Sequence, residues 1–265
     1  MIRLVASDLD DTLLNEEWRI SPGNLKTIKL AIEQGVKFTL ATGRMAVSSR
    51  KYAKELGLDI PIITYHGALV EQALSGEVLY RKVIPIDLAA EIVEFLLRNR
   101  IHTQIYIKDR VFVNKANEVS KAYGKMADVE VEEADLLKLM EKEPEGLEKI
   151  LCIGEGPNLR QSADELRRTY LGRLHFTTSK SHFLDMIHPE VNKGNALKAL
   201  AKQWDIPREE VMAIGDSIND REMIEYAGIG VAVENAHPEI KKIADFITAS
   251  NKEDGVAKAI EKFVL

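Results

Sequence analysis

Asp8, Asp10 and Asp11 stand within four residues of one another, directly after the apolar run from Ile2 to Ala6. Alternation along a strand sends Asp8 and Asp10 to the same side. Two carboxylates that close repel, and a cation between them removes the difficulty. An all-oxygen site of this kind suits Mg²⁺, which keeps several waters and shares a substrate phosphate. The same pair can also divide labour, one carboxylate attacking phosphorus and the other handling the leaving-group proton.

Three further stretches carry chemistry. Thr42-Gly43-Arg44 follows the apolar run 36–41 and precedes a helical pattern. A threonine hydroxyl and a glycine N–H at a helix start suit a phosphate oxygen, although a plain loop fits those three residues alone. Lys193, within His188-Pro189-Glu190-Val191-Asn192-Lys193-Gly194, precedes an apolar helical pattern over 196–204, which puts its ammonium near a helix N-terminus. Gly215-Asp216-Ser217-Ile218-Asn219-Asp220 closes the apolar run 211–214, so an apolar strand again ends in glycine and acid.

The elements that must position these groups follow from periodicity. Residues 2–6 and 36–41 read as strands around a helix opened by Ser21 as N-cap and Pro22 at the first helical position, and Gly35 stops that helix. Such a β-α-β unit implies a parallel sheet with a right-handed crossover. Parallel sheets bind ligands at the carboxyl ends of their strands, which places Thr42 on the same edge as Asp8. A third strand is expected at 61–65 and a hairpin over 69–83. From residue 84 the pattern changes. A helix over 87–100, a hairpin across Lys108-Asp109, a helix-leaning acidic stretch over 131–145, a strand at 149–153, a helix from Asn158 to about 170, and strands at 174–178 and 183–187 suggest an α+β insert. The tail adds a strand at 229–233, a helix at 238–244, a short strand at 245–248 and a closing helix over 254–264.

DLDDTLL, the hydroxyl of Thr42, Lys193 and GDSIND occur in the order shown by the haloacid dehalogenase (HAD) superfamily of phosphatases, and the chain resembles its Cof-type, class IIB branch over essentially its full length. That branch commonly reads Asn-Gly-Ala where this chain has His66-Gly67-Ala68, and glycine where it has Glu190. A histidine at the rim of the site is the expectation at position 66; Glu190 puts the local turn geometry in question while leaving Lys193 in place. The resemblance implies an α/β fold: a Rossmann-like parallel-sheet HAD core over 1–83 and 188–265, with an inserted α+β cap domain over 84–187 that sets substrate specificity.

Carried over residue by residue, the resemblance makes Asp8 the nucleophile and Asp10 the general acid and base. Leu9 through its N–H, Thr42, Gly43, Lys193 and Asn219 bind the phosphoryl oxygens. Asp8, the carbonyl of Asp10 and Asp216 hold Mg²⁺, and Asp220 supports the metal shell or orients Lys193. Arg44 serves structure or substrate access. The implied reaction is Mg²⁺-dependent hydrolysis of small phosphate monoesters, with sugar phosphates as the expected class. A phosphomutase and a phosphometabolite sensor are the alternatives, the second disfavoured by the intact Asp8 and Asp10 pair. Tyr106, Lys108, Tyr123 and His182 are the cap candidates for contact with the organic part of the substrate.

Composition bounds the rest. The 265 residues suffice for one large or two modest domains, and 45% apolar with 29% charged content is that of a globular protein. A net charge of -6 does not favour general binding to nucleic acid. Cys152 is the single cysteine and reads as a buried strand residue. No apolar run approaches membrane-spanning length, so a cytoplasmic protein without membrane or nucleic-acid partners, monomeric or weakly dimeric, is expected.

Overall fold

The computed structural model describes residues 1–143, 145–154, 157–178 and 182–265. The chain forms two compact units, one of Met1–Gly43, Ser49–Tyr80 and Asn192–Leu265, the other of Arg44–Ser48 and Arg81–Val191.

In the first unit, β1 (Leu4–Ser7) is buried along its whole length. It is followed by α1 (Pro22–Glu33), β2 (Lys37–Leu40), α2 (Ala46–Leu56), whose residues before Ser49 are counted with the other unit, β3 (Pro61–Thr64), β4 (Leu69–Gln72) and β5 (Val78–Arg81), which belongs to this unit up to Tyr80. Ser21 caps α1 through an oxygen that accepts from the Asn24 N–H, with Pro22 at the first turn, as the residue types require.

The second unit contains α3 (Ile86–Arg98), β6 (His102–Ile107), β7 (Arg110–Val113), α4 (Glu118–Ala127), β8 (Val131–Glu133), α5 (Leu136–Met140), β9 (Ile150–Ile153), α6 (Pro157–Thr169), β10 (His175–Thr177) and β11 (Phe183–Ile187). The first unit resumes with α7 (Lys193–Gln203), β12 (Val211–Gly215), α8 (Arg221–Tyr226), β13 (Ile229–Ala232), α9 (Pro238–Ile243), β14 (Phe246–Ile247) and α10 (Gly255–Phe263).

The main sheet has the order β14-β13-β12-β1-β2, and every pair in it is parallel. Strands β3, β4 and β5 form a separate sheet, joined to the end of β2 by a parallel bridge between Ala41 and Ile63. Helix α1 packs with α10, and α7 with α8. Gly194 permits the second contact, since a Cβ there would sit 2.4 Å from the Glu222 carbonyl oxygen.

The described residues of the second unit form a six-stranded sheet, ordered β10-β11-β9-β6-β7-β8 and antiparallel except for the β7–β8 pair. Its apolar core lies on one face, where Ile105, Ile150, Cys152, Leu184 and Met186 meet residues of α3, α5 and α6. Cys152 is buried, and burial raises its thiol pKa.

The stretch over 131–145 departs from the helical expectation. Val131–Glu133 is a strand on the sheet edge, and the helix begins only at Leu136, where Asp135 caps it by accepting from the Lys138 N–H. Helix α4 is an element that periodicity does not announce. It opens with a reciprocal capping pair between Asn117 and Ser120, and a Cβ at its Gly124 would lie 2.8 Å from the Val129 carbonyl oxygen. Weak apolar periodicity, interrupted by glycine, hides a helix whose ends are well specified. No described helix is long and apolar enough to cross a membrane.

Candidate active site

Parallel register brings the acidic segments together. Ser7 pairs with Ile214 on one side and Leu40 on the other, so the three strands end level. The Asp8 N–H donates to the Ile214 carbonyl at 2.9 Å, and the Ala41 N–H to the Ser7 carbonyl at 2.9 Å. Asp8, Thr42 and Asp216 therefore leave one sheet edge side by side, although 208 positions separate the two acids.

Beyond Ser7 the chain stops alternating. Asp10 is extended, Asp11 takes a left-handed φ of 59°, and the Leu14 N–H closes the turn onto the Leu9 carbonyl at 2.8 Å. Leu9 and Leu13 bury their side chains beneath this turn, fixing it to the core. Aspartate tolerates the left-handed conformation better than most residues. Asn235 Nδ2 donates to the Asp11 carbonyl at 2.7 Å, and the Asn251 N–H to Asn235 Oδ1 at 2.9 Å. Neither asparagine carries a local signal that ties it to this turn.

Carboxylate oxygens of Asp8, Asp216 and Asp220 lie within 4.8 Å of one another. The Asp10 side chain is outside that cluster. The fully buried Lys193 ammonium donates to Asp8 Oδ1 and to Asp220 Oδ1, each at 2.6 Å. Asp220 Oδ2 accepts the N–H groups of Asp216 and Ser217, each at 3.0 Å. Thr12 donates its hydroxyl to Asp216 Oδ1 at 2.9 Å, a contact unforeseen from sequence despite Thr12 lying within the first motif. Helix α7 starts at Lys193 itself, three residues earlier than expected, because Asn192 caps it by accepting from the Asn195 N–H.

Three carboxylates around one ammonium leave an excess of negative charge in a buried place. Burial pushes the Asp8 pKa up to about 7; Lys193 opposes that rise, while Asp220 and Asp10 add to it. Asp216 is raised well above its ordinary value, chiefly by burial and then by Asp220 and Asp8. Burial alone would lower the Lys193 pKa, but the Asp220 and Asp8 carboxylates outweigh it and hold the ammonium charged. The donor set is all oxygen and lacks two positive charges when its three carboxylates are ionised, which fits a divalent cation.

His66 is buried, contrary to the expectation of a histidine at the rim. Tyr65 and His66 both adopt left-handed φ, 49° and 59°, which turns the imidazole inward. Its Nδ1 lies 3.2 Å from Asn219 Nδ2, while Asn219 Oδ1 accepts the Ser217 hydroxyl at 2.7 Å. The amide of Asn219 is thereby held at both ends, with His66 Nδ1 as the acceptor. The ring also lies against Gly43, where a Cβ would come within 2.3 Å of His66 Cε1. Thr42 is buried beside it, and its carbonyl accepts the His66 N–H at 2.9 Å.

Within the second unit Glu190 lies outside the left-handed region, so that turn has no need of glycine. The Val191 N–H closes it on the His188 carbonyl at 2.9 Å, and Glu190 pairs with Lys82. Lys108 is exposed and pairs with Glu143 at 2.7 Å; Tyr106 and Tyr123 are buried, and His182 packs edge-on against Phe183.

An acidic strand edge with a hydroxyl, a buried lysine and a second acidic loop defines a phosphoryl-transfer hydrolase. The sequence matches the haloacid dehalogenase-like hydrolase family over residues 5–260, and the chain belongs to that family, in its Cof-type branch. It is 33% identical to 5-amino-6-(5-phospho-D-ribitylamino)uracil phosphatase YcsE of Bacillus subtilis, covering 100% of this chain and 96% of that protein. A haloacid dehalogenase-like hydrolase from Bacteroides thetaiotaomicron has a crystal structure similar at a TM-score of 0.88, with 30% identity over 99% of each chain. TM0651 from Thermotoga maritima is similar at a TM-score of 0.87, with 31% identity over 100% of this chain and 98% of that one. The protein is accordingly a phosphatase, a hydrolase of phosphate esters, from a family that uses a divalent metal.

Proposed function

We propose that the chain hydrolyses small sugar or polyol phosphate monoesters with Mg²⁺, through an aspartyl-phosphate on Asp8. The observation that carries this reading is the buried Lys193 ammonium shared between Asp8 and Asp220 at 2.6 Å each, beside Asp216. The similarity to YcsE, named for a ribityl phosphate, supports the polyol class.

In this reading an Asp8 carboxylate oxygen forms a bond to phosphorus while the bond from phosphorus to the ester oxygen breaks. Asp10 gives its proton to the departing alkoxide. It then takes a proton from the water that attacks the acyl phosphate, which returns Asp8 and releases inorganic phosphate. Lys193, the N–H groups of Leu9 and Gly43, the Thr42 hydroxyl and the Asn219 amide hold the equatorial oxygens, where negative charge spreads in the transition state. Asp8, Asp216 and the Asp10 carbonyl would hold Mg²⁺, which supplies fixed positive charge for those oxygens and relieves the repulsion among the carboxylates. Asp220 fixes Lys193 through one oxygen and the Asp216 loop through the other. The segment over 84–187 is proposed as the specificity cap of a core formed by 1–83 and 188–265.

Phosphate release from a panel of sugar, polyol and aryl phosphates, with Mg²⁺ or chelator and with Asp8→Asn as control, tests the reading. Metal-dependent release that disappears in the mutant is expected. Undiminished release by a folded Asp8→Asn protein overturns the nucleophile, and release indifferent to chelator overturns the metal.

A further inference from the structure

Strand β5 ends the sheet β3-β4-β5. On one side lies β4, and among the described residues no strand pairs with the other side. The hairpin that presents this edge is closed by the Gln72 N–H, which donates to the Glu77 carbonyl, and by the Gly76 N–H, which donates to the Gln72 carbonyl, each at 2.9 Å. Gly76 has a φ of 70°, a conformation that suits glycine. A free edge is a row of unpaired N–H and C=O groups, which proteins commonly blunt with lysine, proline or a covering element.

Residues 78–80 include neither lysine nor proline. Val78 is 53% exposed, Leu79 40% and Tyr80 43%. Alternation sends Val78 and Tyr80 to one face of the strand and Leu79 to the other, so both faces of the edge are apolar and open to solvent. With Leu74, these three make up four of the eleven exposed large apolar residues described, all within the segment 74–80. Concentrated apolar exposure of this kind marks a surface that meets another chain.

The order of residues along the strand specifies which chain. Two copies of an edge strand joined by a two-fold axis run antiparallel, with the axis perpendicular to the sheet, so each face stays on its own side. Residues opposite each other then share a face, and one residue must lie opposite itself. Centred on Leu79, the pairing sets Leu79 against Leu79 of the second copy, Val78 against Tyr80 and Glu77 against Arg81. Centring on Val78 sets Glu77 against Leu79, and centring on Tyr80 sets Leu79 against Arg81 and Val78 against Lys82. Of these three registers, the one centred on Leu79 alone matches apolar with apolar and acid with base. Arg81 also donates to Glu145 and, at 2.6 Å, to Glu148 of its own chain through two of its nitrogens, and a guanidinium has five N–H groups to share.

We propose that two copies of this chain associate through β5, antiparallel and centred on Leu79, to form one continuous sheet ordered β3-β4-β5-β5-β4-β3. Strand addition supplies main-chain hydrogen bonds, and the pairing of Tyr80 with Val78, made twice, supplies aromatic packing on a β-branched side chain. The assembly stops at two, because the far strand β3 is bridged to the end of β2 and presents no second open edge. Four residues from each copy make a small interface, so the association is weak and depends on concentration.

Sedimentation velocity of the full chain over a hundred-fold range of concentration tests the proposal. Wild type is expected to pass from monomer to dimer as concentration rises. Leu79→Lys sets two ammonium groups face to face at the axis and is expected to weaken the dimer at least about ten-fold, with thermal unfolding to show that it folds. Leu79→Cys tests the register without that variant. Cα atoms directly opposite in an antiparallel pair are roughly 4.5–5.5 Å apart, within disulfide range, and the native Cys152 is buried. Under mild oxidation Leu79→Cys is expected to give covalent dimer at least about ten-fold faster than Val78→Cys, whose two copies lie on a diagonal. A wild type that stays monomeric throughout, or a dimer that Leu79→Lys leaves unchanged, overturns the interface. Equal cross-linking by the two cysteine variants overturns the register.

Discussion

Lys193 and Asp220 form a wholly buried ion pair at 2.6 Å, and the second oxygen of Asp220 is committed to two backbone N–H groups. The carboxylate is thus a brace that fixes the lysine to the loop carrying Asp216. Asp220→Ala is expected to cost about 3–5 kcal/mol, because it leaves a buried ammonium with one partner fewer and two N–H groups unmet. Asp220→Asn keeps an acceptor for those N–H groups and should cost less than half as much. Urea unfolding of both variants checks the order, and equal losses would argue against the brace.

Asp8→Asn separates chemistry from folding. Turnover should fall at least about 10⁴-fold, on the scale of other nucleophile deletions. Stability of the metal-free protein at pH 8 should not fall, since the substitution removes a carboxylate whose ionised form burial disfavours. Steady-state kinetics and the unfolding midpoint are read on the same sample.

Metal and protons should compete. In the metal-free protein the Asp8 pKa is raised from its ordinary 3.8 to about 7, and that of Asp216 is raised as well. Between about pH 4 and 7 the folded state therefore binds more protons than the unfolded one, and stability falls as pH rises through that window. A cation prefers the ionised carboxylates. Its stabilisation should therefore be larger at pH 8 than at pH 5, with protons released on binding at pH 6. Melting curves with and without Mg²⁺, and calorimetry in two buffers of different ionisation heat, measure both effects; an equal gain at both pH values counts against the assignment.

His66 and Gly43 should be energetically coupled. A methyl group at Gly43 meets the imidazole at 2.3 Å, so Gly43→Ala is expected to destabilise by about 1–3 kcal/mol. Much of that loss should vanish when His66→Ala has removed the ring, a coupling of about 1 kcal/mol or more in a double-mutant cycle. Strict additivity would show that the ring is not the obstacle.

His66→Ala alone should loosen Asn219 by removing the acceptor at Nδ1. The inhibition constant for inorganic phosphate is expected to rise about 3- to 10-fold, the worth of one ordinary hydrogen bond. His66→Asn, which tolerates the left-handed backbone, should fold as well as the parent. An unchanged phosphate constant in His66→Ala would remove the histidine from phosphate positioning.

Local features of the chain were legible without coordinates. DLDDTLL after an apolar strand, Ser21-Pro22 before a helix, and the two segments ending in glycine and acid each rest on neighbours within a few residues, and local geometry follows local sequence. Helix α4 and strand β8 were not legible, because their periodicity is short and diluted by charge and glycine. The decisive relationships lie further apart. That Asp8 and Asp216 share an edge depends on β1 lying between β2 and β12, a strand order that no local pattern encodes. The inward turn of His66, the double grip of Asp220 and the meeting of Tyr106 with Tyr123 depend on packing between elements remote in sequence. Sequence alone determined which groups could do chemistry; tertiary structure decided which of them meet, because contacts between distant segments are set by sheet order and register, and only neighbouring residues by spacing.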